Sequence, residues 1–278
     1  MFSYFFDINL VVDLIQTIAS IAVIIDCIEV LIERYQYTSR GIFSLEIIRM
    51  YKKWMLNRYL DLFFNFLFGY PNYILLIILQ LVIGVLVISQ IFINISMFLI
   101  LFIFIILLLS HIRNHLGMSG SDQMQVIIFA GLLVFYLSPS NPIVQKTAIF
   151  FICFQSLLSY FMAGLAKLSS SAWKNGTAIK DIMNTESFGN KSFAKILIDK
   201  PFISKLVCWC VIIFECSFPV LIFTGLQTTF FLIILGILFH LSISIFMRFN
   251  SFFWSFIATY PALLYISVEI QNFIRSIS

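Results

Sequence analysis

Residues 72–110 read NYILLIILQLVIGVLVISQIFINISMFLILFIFIILLLS, a stretch without a single charged side chain. A bilayer core asks for about 20 apolar residues per helix. The length therefore predicts two membrane spans, 72–89 and 92–110, with a turn near Ser89-Gln90. Working outward, further apolar runs lie at 9–31, 124–138, 145–166, 206–225, 229–247 and 252–268. The 278-residue chain is 61% hydrophobic and 11% charged, where soluble domains carry about 25% charge. The weak alternation of an outer-membrane barrel is absent. The expected fold is an all-α integral membrane protein. It is a single polytopic bundle of about eight transmembrane helices over 1–278, with an amphipathic interfacial helix.

The connections support this map. Residues 33–58 are polar and basic. Within them Ser44 is followed by Ile47, Ile48, Tyr51, Trp54 and Met55 on one side, with Arg49, Lys52 and Lys53 on the other. That suits a helix lying on the membrane surface. The apolar piece 59–69, ended by Gly69-Tyr70-Pro71, is too short to span. The polar cluster 111–123 precedes the fourth span. The polar segment 167–205 is the longest, with short helices expected at 177–183 and 190–198 and a break at Phe188-Gly189-Asn190. With an outside amino terminus, 15 of the 17 Lys and Arg residues fall in inside loops, leaving Lys146 and Arg275 outside. The positive-inside rule favours this orientation, and a multi-pass protein of the cell (cytoplasmic) membrane is expected. Residues 1–6 lack a positive n-region, so no cleavable signal peptide is expected. The net charge of +4 is topological. The basic residues lack the aromatic interleaving of a nucleic-acid surface, so no nucleic acid is expected as a partner.

Polar residues inside spans are the candidates for chemistry. Tyr160, Ala163, Gly164 and Lys167 fall at i, i+3, i+4 and i+7, on one helical face. The small pair at 163–164 lets a helix or ligand approach, and Lys167 stands at the end of that groove. Lys167 has two readings: a lysine snorkelling to water, or one held in a low-dielectric groove as a base or anion holder. Glu215 sits near mid-span, where a lone carboxylate is costly, and must be paired or neutral. Pro219, one turn on, frees a backbone carbonyl there. His240 lies mid-span with Ser244 one turn on. In the first span, Asp26 and Glu29 have two readings: acids at the headgroup level, which is preferred, or acids within the span that face protein or water. Trp254 and Tyr260 are placed as boundary anchors of the last span. Cys27, Cys153, Cys208, Cys210 and Cys216 read as small buried hydrophobes. No metal site is expected: His111 and His115 lack an acid at ligand spacing.

Tyr160-Phe161-x-Ala163-Gly164-x-x-Lys167-Leu168, then Trp173-x-x-Gly176-Thr177-Ala178, resembles the signature of the HTTM superfamily, the vitamin K-dependent gamma-carboxylase-like membrane proteins. Three further pieces follow in the expected order. Ser119-Gly120-Ser121-Asp122-Gln123 resembles the Gly-Gly-Asp-Gln piece, with Ser121 in place of the second Gly. Glu215-x-x-x-Pro219-x-Leu221 resembles the Glu-Pro span. Phe239-His240-Leu241, followed by Tyr260-Pro261, resembles the late His span. The likeness covers about 110–265 and is weaker over the first 70 residues. The Trp173–Ala178 wording and Phe188-Gly189 lean towards the bacterial, sporulation-delaying protein B-like branch, which helps mature or export a secreted peptide toxin.

The resemblance implies Lys167 as the base that deprotonates a reduced quinone, with oxygen as co-reactant and Glu215 and His240 in support. It implies a ligand groove of Tyr160, Ala163, Gly164, Trp173, Gly176, Asp122 and His115. The partners it implies are membrane lipid, a secreted peptide and a second membrane subunit. The large lumenal region of the animal carboxylase has no counterpart here, so glutamate carboxylation does not carry over. A different class stays open: a non-catalytic scaffold, exporter or immunity-like binder holding a lipid or hydrophobic peptide in the same groove.

Overall fold

The computed structural model describes residues 7–51, 58–91, 95–114, 119–221 and 223–277. Among them the architecture is all-helical, with eight helices long and apolar enough to cross a membrane. Seven are continuous: α1 (Ile8–Ile32), α4 (Asn72–Ser89), α5 (Ser96–Arg113), α6 (Gly120–Leu137), α7 (Pro142–Ser169), α11 (Pro201–Leu221) and α12 (Leu226–Met247). The eighth is bent, α13 (Asn250–Ile257) followed by α14 (Tyr260–Ile277). Between α1 and α4 lie α2 (Leu45–Tyr51) and α3 (Arg58–Phe68). Between α7 and α11 lie α8 (Ser171–Asn175), α9 (Ala178–Met183) and α10 (Lys191–Asp199).

Local chemistry sets the ends. Asp7 caps α1 by accepting from Asn9 N at 3.1 Å. Ser119 and Asp122 form a reciprocal capping box that starts α6 four residues before the apolar run. Asn141 caps α7, with Pro142 in the first turn where a missing N–H costs nothing. Gln90 ends α4 in the left-handed conformation, at the expected turn. Asn190 caps α10 through Phe193 N, at the expected break.

α1 is the central staff, packed on α4, α6, α13 and α14, while α7 is clasped by α6 and α11. Lipid tails are as apolar as leucine, so these contacts rest on close packing rather than on exclusion of water. Gly164 is the clearest case. A Cβ there would lie 2.7 Å from Cys216 Sγ and 2.8 Å from Cys216 N, so α7 and α11 touch backbone to backbone. Apolar residues line the outside: Leu75, Leu79 and Val82 on α4, Phe98 and Phe102 on α5, and Phe231, Ile234 and Leu238 on α12 are all exposed. These stripes are the lipid-contacting surface of a multi-pass membrane protein.

Among the described residues, alternating helix directions gather 33–51, 58–71, 111–114, 119–122, 167–205 and 248–250 at one end of the bundle, which carries most of the basic side chains. The 11-residue α3 does not span, the condition on which the charge argument rests. Its Phe64 and Phe68 are buried and its Leu62, Phe63 and Phe66 exposed, and Arg49 of α2 pairs with its Asp61. Lys52, Lys53, Trp54 and Met55 of the expected surface helix lie outside the described residues. At the same end Ala178, Ile179, Met183, Ala194, Leu197 and Cys208 form a small second core that covers the α7–α11–α12 corner.

Two expectations are corrected. Tyr260 is not a boundary anchor. It is 3% exposed, because the bend at 258–259 turns it into the bundle, where it bonds to Tyr160. Cys210 is exposed, unlike the buried Cys27, Cys153 and Cys208, since residues two apart on a helix point in different directions.

Candidate functional site

A cavity of about 490 Å3 opens between α7, α11, α12 and α13 beneath the cover of α8–α10. Tyr160, Ala163 and Lys167 line it from α7, Glu215 from α11, His240 from α12 and Phe252 and Phe256 from α13. Apart from Ser159, Ser242 and Trp173, the rest of the wall is apolar, including Ile179, Phe193, Val211 and Phe246.

The charge in this wall is a pair. Lys167 Nζ donates to Glu215 Oε1 at 2.9 Å and to Oε2 at 2.7 Å. Glu215 is 4% exposed, which answers the demand that a mid-span carboxylate find a partner. Lys167 keeps 21% of its side chain accessible, and its ammonium also lies 5.2 Å from the centre of the Trp173 ring. That is cation–π range, so α8 helps aim the lysine.

Deeper in, Tyr160 Oη lies 2.7 Å from His240 Nε2 and 2.8 Å from Tyr260 Oη. The His240 ring stacks on Phe256 at 4.6 Å between centroids. His240 is 1% exposed, and its Nδ1 has no hydrogen-bond partner among the described residues. A buried imidazole nitrogen without a partner is costly unless something completes it.

Of the residues named from sequence, Tyr160, Ala163, Lys167, Trp173, Glu215 and His240 therefore line one cavity. Gly164 supports it from behind by letting α11 come close. Gly176 is not in the wall. It ends α8 at φ 83°, its carbonyl accepts from Ser204 Oγ, and a Cβ on it would collide with Lys205 of α11. Its role is the tight turn that seats Trp173. Asp122 lies in a separate cavity beside Asp26 and Gln125. His115 lies outside the described residues. Tyr260, Phe252 and Phe256 were not read as site residues. The one signal for Tyr260 is its place after His240 in the motif of the late His span, which does not say that the two side chains share a network. No group of three or more His, Cys, Asp or Glu side chains among the described residues is placed to hold a metal.

No family model, curated protein or solved structure matches this chain. The site therefore has to be read from its own geometry: an ammonium–carboxylate pair and a tyrosine–histidine network facing an apolar chamber within a membrane bundle.

Proposed function

We propose that this chain is an HTTM-type membrane protein that binds a reduced quinone in the Lys167 cavity and acts in the modification, maturation or export of a secreted peptide. The observation that carries the reading is the placement of Lys167, held by Glu215 at the edge of a chamber large enough for a small ring system.

The lining suits such a ligand. Phe252, Phe256, Phe246 and Phe193 offer ring faces. Lys167 and His240 supply the polar contacts that orient a ring hydroxyl. When bound, a reduced quinone supplies a weakly acidic phenolic proton and a route to oxygen chemistry. Glu215 holds Lys167 in place, and Lys167 Nζ is the group set to exchange a proton with the ligand hydroxyl. Tyr160 fixes the His240 ring through Nε2 and leaves Nδ1 facing its own unmet bond. The apolar walls exclude water from the exchange. The positive-inside rule puts this end of the bundle on the cytoplasmic side of the cell membrane.

The chamber's apolar lining also favours a second reading, a non-catalytic partner that holds a lipid or hydrophobic peptide. Lys167→Ala and Lys167→Arg variants separate the two, once membrane insertion is verified. The base reading expects loss of mature peptide in both variants. Normal product from both sinks it, and the binder reading then expects loss of partner capture in Gly164→Leu alone.

A further inference from the structure

A second cavity, of about 550 Å3, occupies the same end of the bundle. α13 divides the two: Phe252 and Phe256 wall the Lys167 chamber, while Asn250 lines the second cavity and Ser255 bonds to its Gln125. Four carboxylates line it, Asp26, Glu29, Glu33 and Asp122, with Arg248 and His111 as the basic side chains of the lining. The ion pairs among the described residues are Arg49–Asp61, Lys146–Glu269 and Lys167–Glu215, so none of the four acids is neutralised by a basic side chain there. Glu29 and Glu33 are exposed at its mouth and Asp26 and Asp122 lie further in, and excess negative charge in a partly enclosed cavity favours a cation.

Gln125 makes the demand more specific. It is 1% exposed and lines the cavity. Its amide nitrogen donates to Asp26 Oδ2 and to Ser255 Oγ, yet its amide oxygen is buried with no partner among the described residues. An orphan acceptor beside an acid asks for an N–H donor that is also positively charged. The carboxylates do not converge as a metal group. An aromatic cage for a quaternary ammonium is not on offer either. The rings of Tyr37 and Tyr73 already carry the Arg113 guanidinium, at 4.9 and 4.2 Å from their centres.

We propose that this cavity is a binding site for a primary or secondary ammonium, seated between Asp26, Asp122 and the Gln125 amide oxygen with Glu29 at the rim. The group belongs either to a soluble polyamine or to an ethanolamine lipid headgroup, which share this chemistry. The site shares a helix with the Lys167 chamber but none of its polar groups, so it stands whatever ligand that chamber takes.

The test uses the full chain in phosphatidylcholine nanodiscs at fixed ionic strength, with spermidine, tetramethylammonium and magnesium as probes in calorimetry. Wild type is expected to bind spermidine and not tetramethylammonium. Asp26→Asn keeps the side-chain shape and Glu29→Gln sits at the exposed rim, so both should fold. Each is expected to bind about tenfold more weakly, the loss of one charge-assisted hydrogen bond. A parallel arm uses nanodiscs of mixed phosphatidylethanolamine and phosphatidylcholine. Ethanolamine lipid retained by wild type and lost in Asp26→Asn, with spermidine displacing it, assigns the group to lipid. Spermidine binding with no lipid preference assigns it to a soluble amine. The proposal is overturned if wild type takes neither, if tetramethylammonium or magnesium binds as well as spermidine, or if both variants bind like wild type.

Discussion

Lys167 and Glu215 form a two-pronged ion pair, with Nζ 2.9 Å from one carboxylate oxygen and 2.7 Å from the other, across a backbone-to-backbone contact of α7 and α11. The pair couples the α7–α11 seam to the chamber. Gly164, one turn before Lys167, removes the side chain that would hold α11 away, and that close approach brings Glu215 within reach.

Breaking the pair from one side should cost more than removing it. Lys167→Ala leaves a buried carboxylate uncompensated, a loss of about 3–5 kcal/mol. Lys167→Met/Glu215→Leu removes both charges and fills the space, and is expected to be more stable than Lys167→Ala. Thermal unfolding in detergent measures the order, and a double variant as weak as the single one contradicts it.

The seam itself can be stressed. Gly164→Ala drives a Cβ against the Cys216 backbone, whereas Gly131→Ala meets only the Ile152 side chain at comparable range. Overpacking costs about 1–3 kcal/mol, and backbone yields less than a side chain. Melting curves should place Gly164→Ala below Gly131→Ala.

Tyr160 is the hub of the buried network. Tyr160→Phe orphans both His240 Nε2 and Tyr260 Oη, while Tyr260→Phe leaves the Tyr160–His240 bond intact. A buried unsatisfied group costs about 1–3 kcal/mol, so Tyr160→Phe is expected to melt lower than Tyr260→Phe. Equal melting temperatures would show that the hub carries no such load.

Arg113 staples the loop that precedes α2. It donates to Phe43 O at 2.7 Å and Phe68 O at 3.3 Å, and stacks on Tyr37 and Tyr73. Lysine lacks the planar fork. Arg113→Lys is expected to speed hydrogen exchange over 34–44 without altering exchange in α12, as mass spectrometry can read.

How much of this lay in the sequence depends on what lipid enforces. The spans were legible because a bilayer demands long apolar runs and leaves their outer faces exposed, as on α4 and α12. Their ends were less so. α6 begins at 120 and not 124 because a Ser119–Asp122 box caps it, and α11 begins at Pro201 because its first turns pack under the α9–α10 core rather than against lipid. Glu215 could be read as needing a partner, but Lys167 lies 48 positions away, and helical periodicity carries no information across that gap. Asp122 looked like part of the same groove by its place in a motif. The capping box that fixes it instead turns it toward Asp26, in the other cavity.

The most direct test is to ask what occupies the Lys167 chamber. Protein purified in mild detergent is analysed by mass spectrometry as wild type, as Ala163→Phe, which fills the chamber, and as Phe231→Ala, on the lipid-facing surface. The expected result is a quinone-class ligand on wild type and Phe231→Ala and its loss from Ala163→Phe. A wild-type protein free of such a ligand when purified from quinone-containing membranes, or an Ala163→Phe protein that retains it in full, would contradict the account.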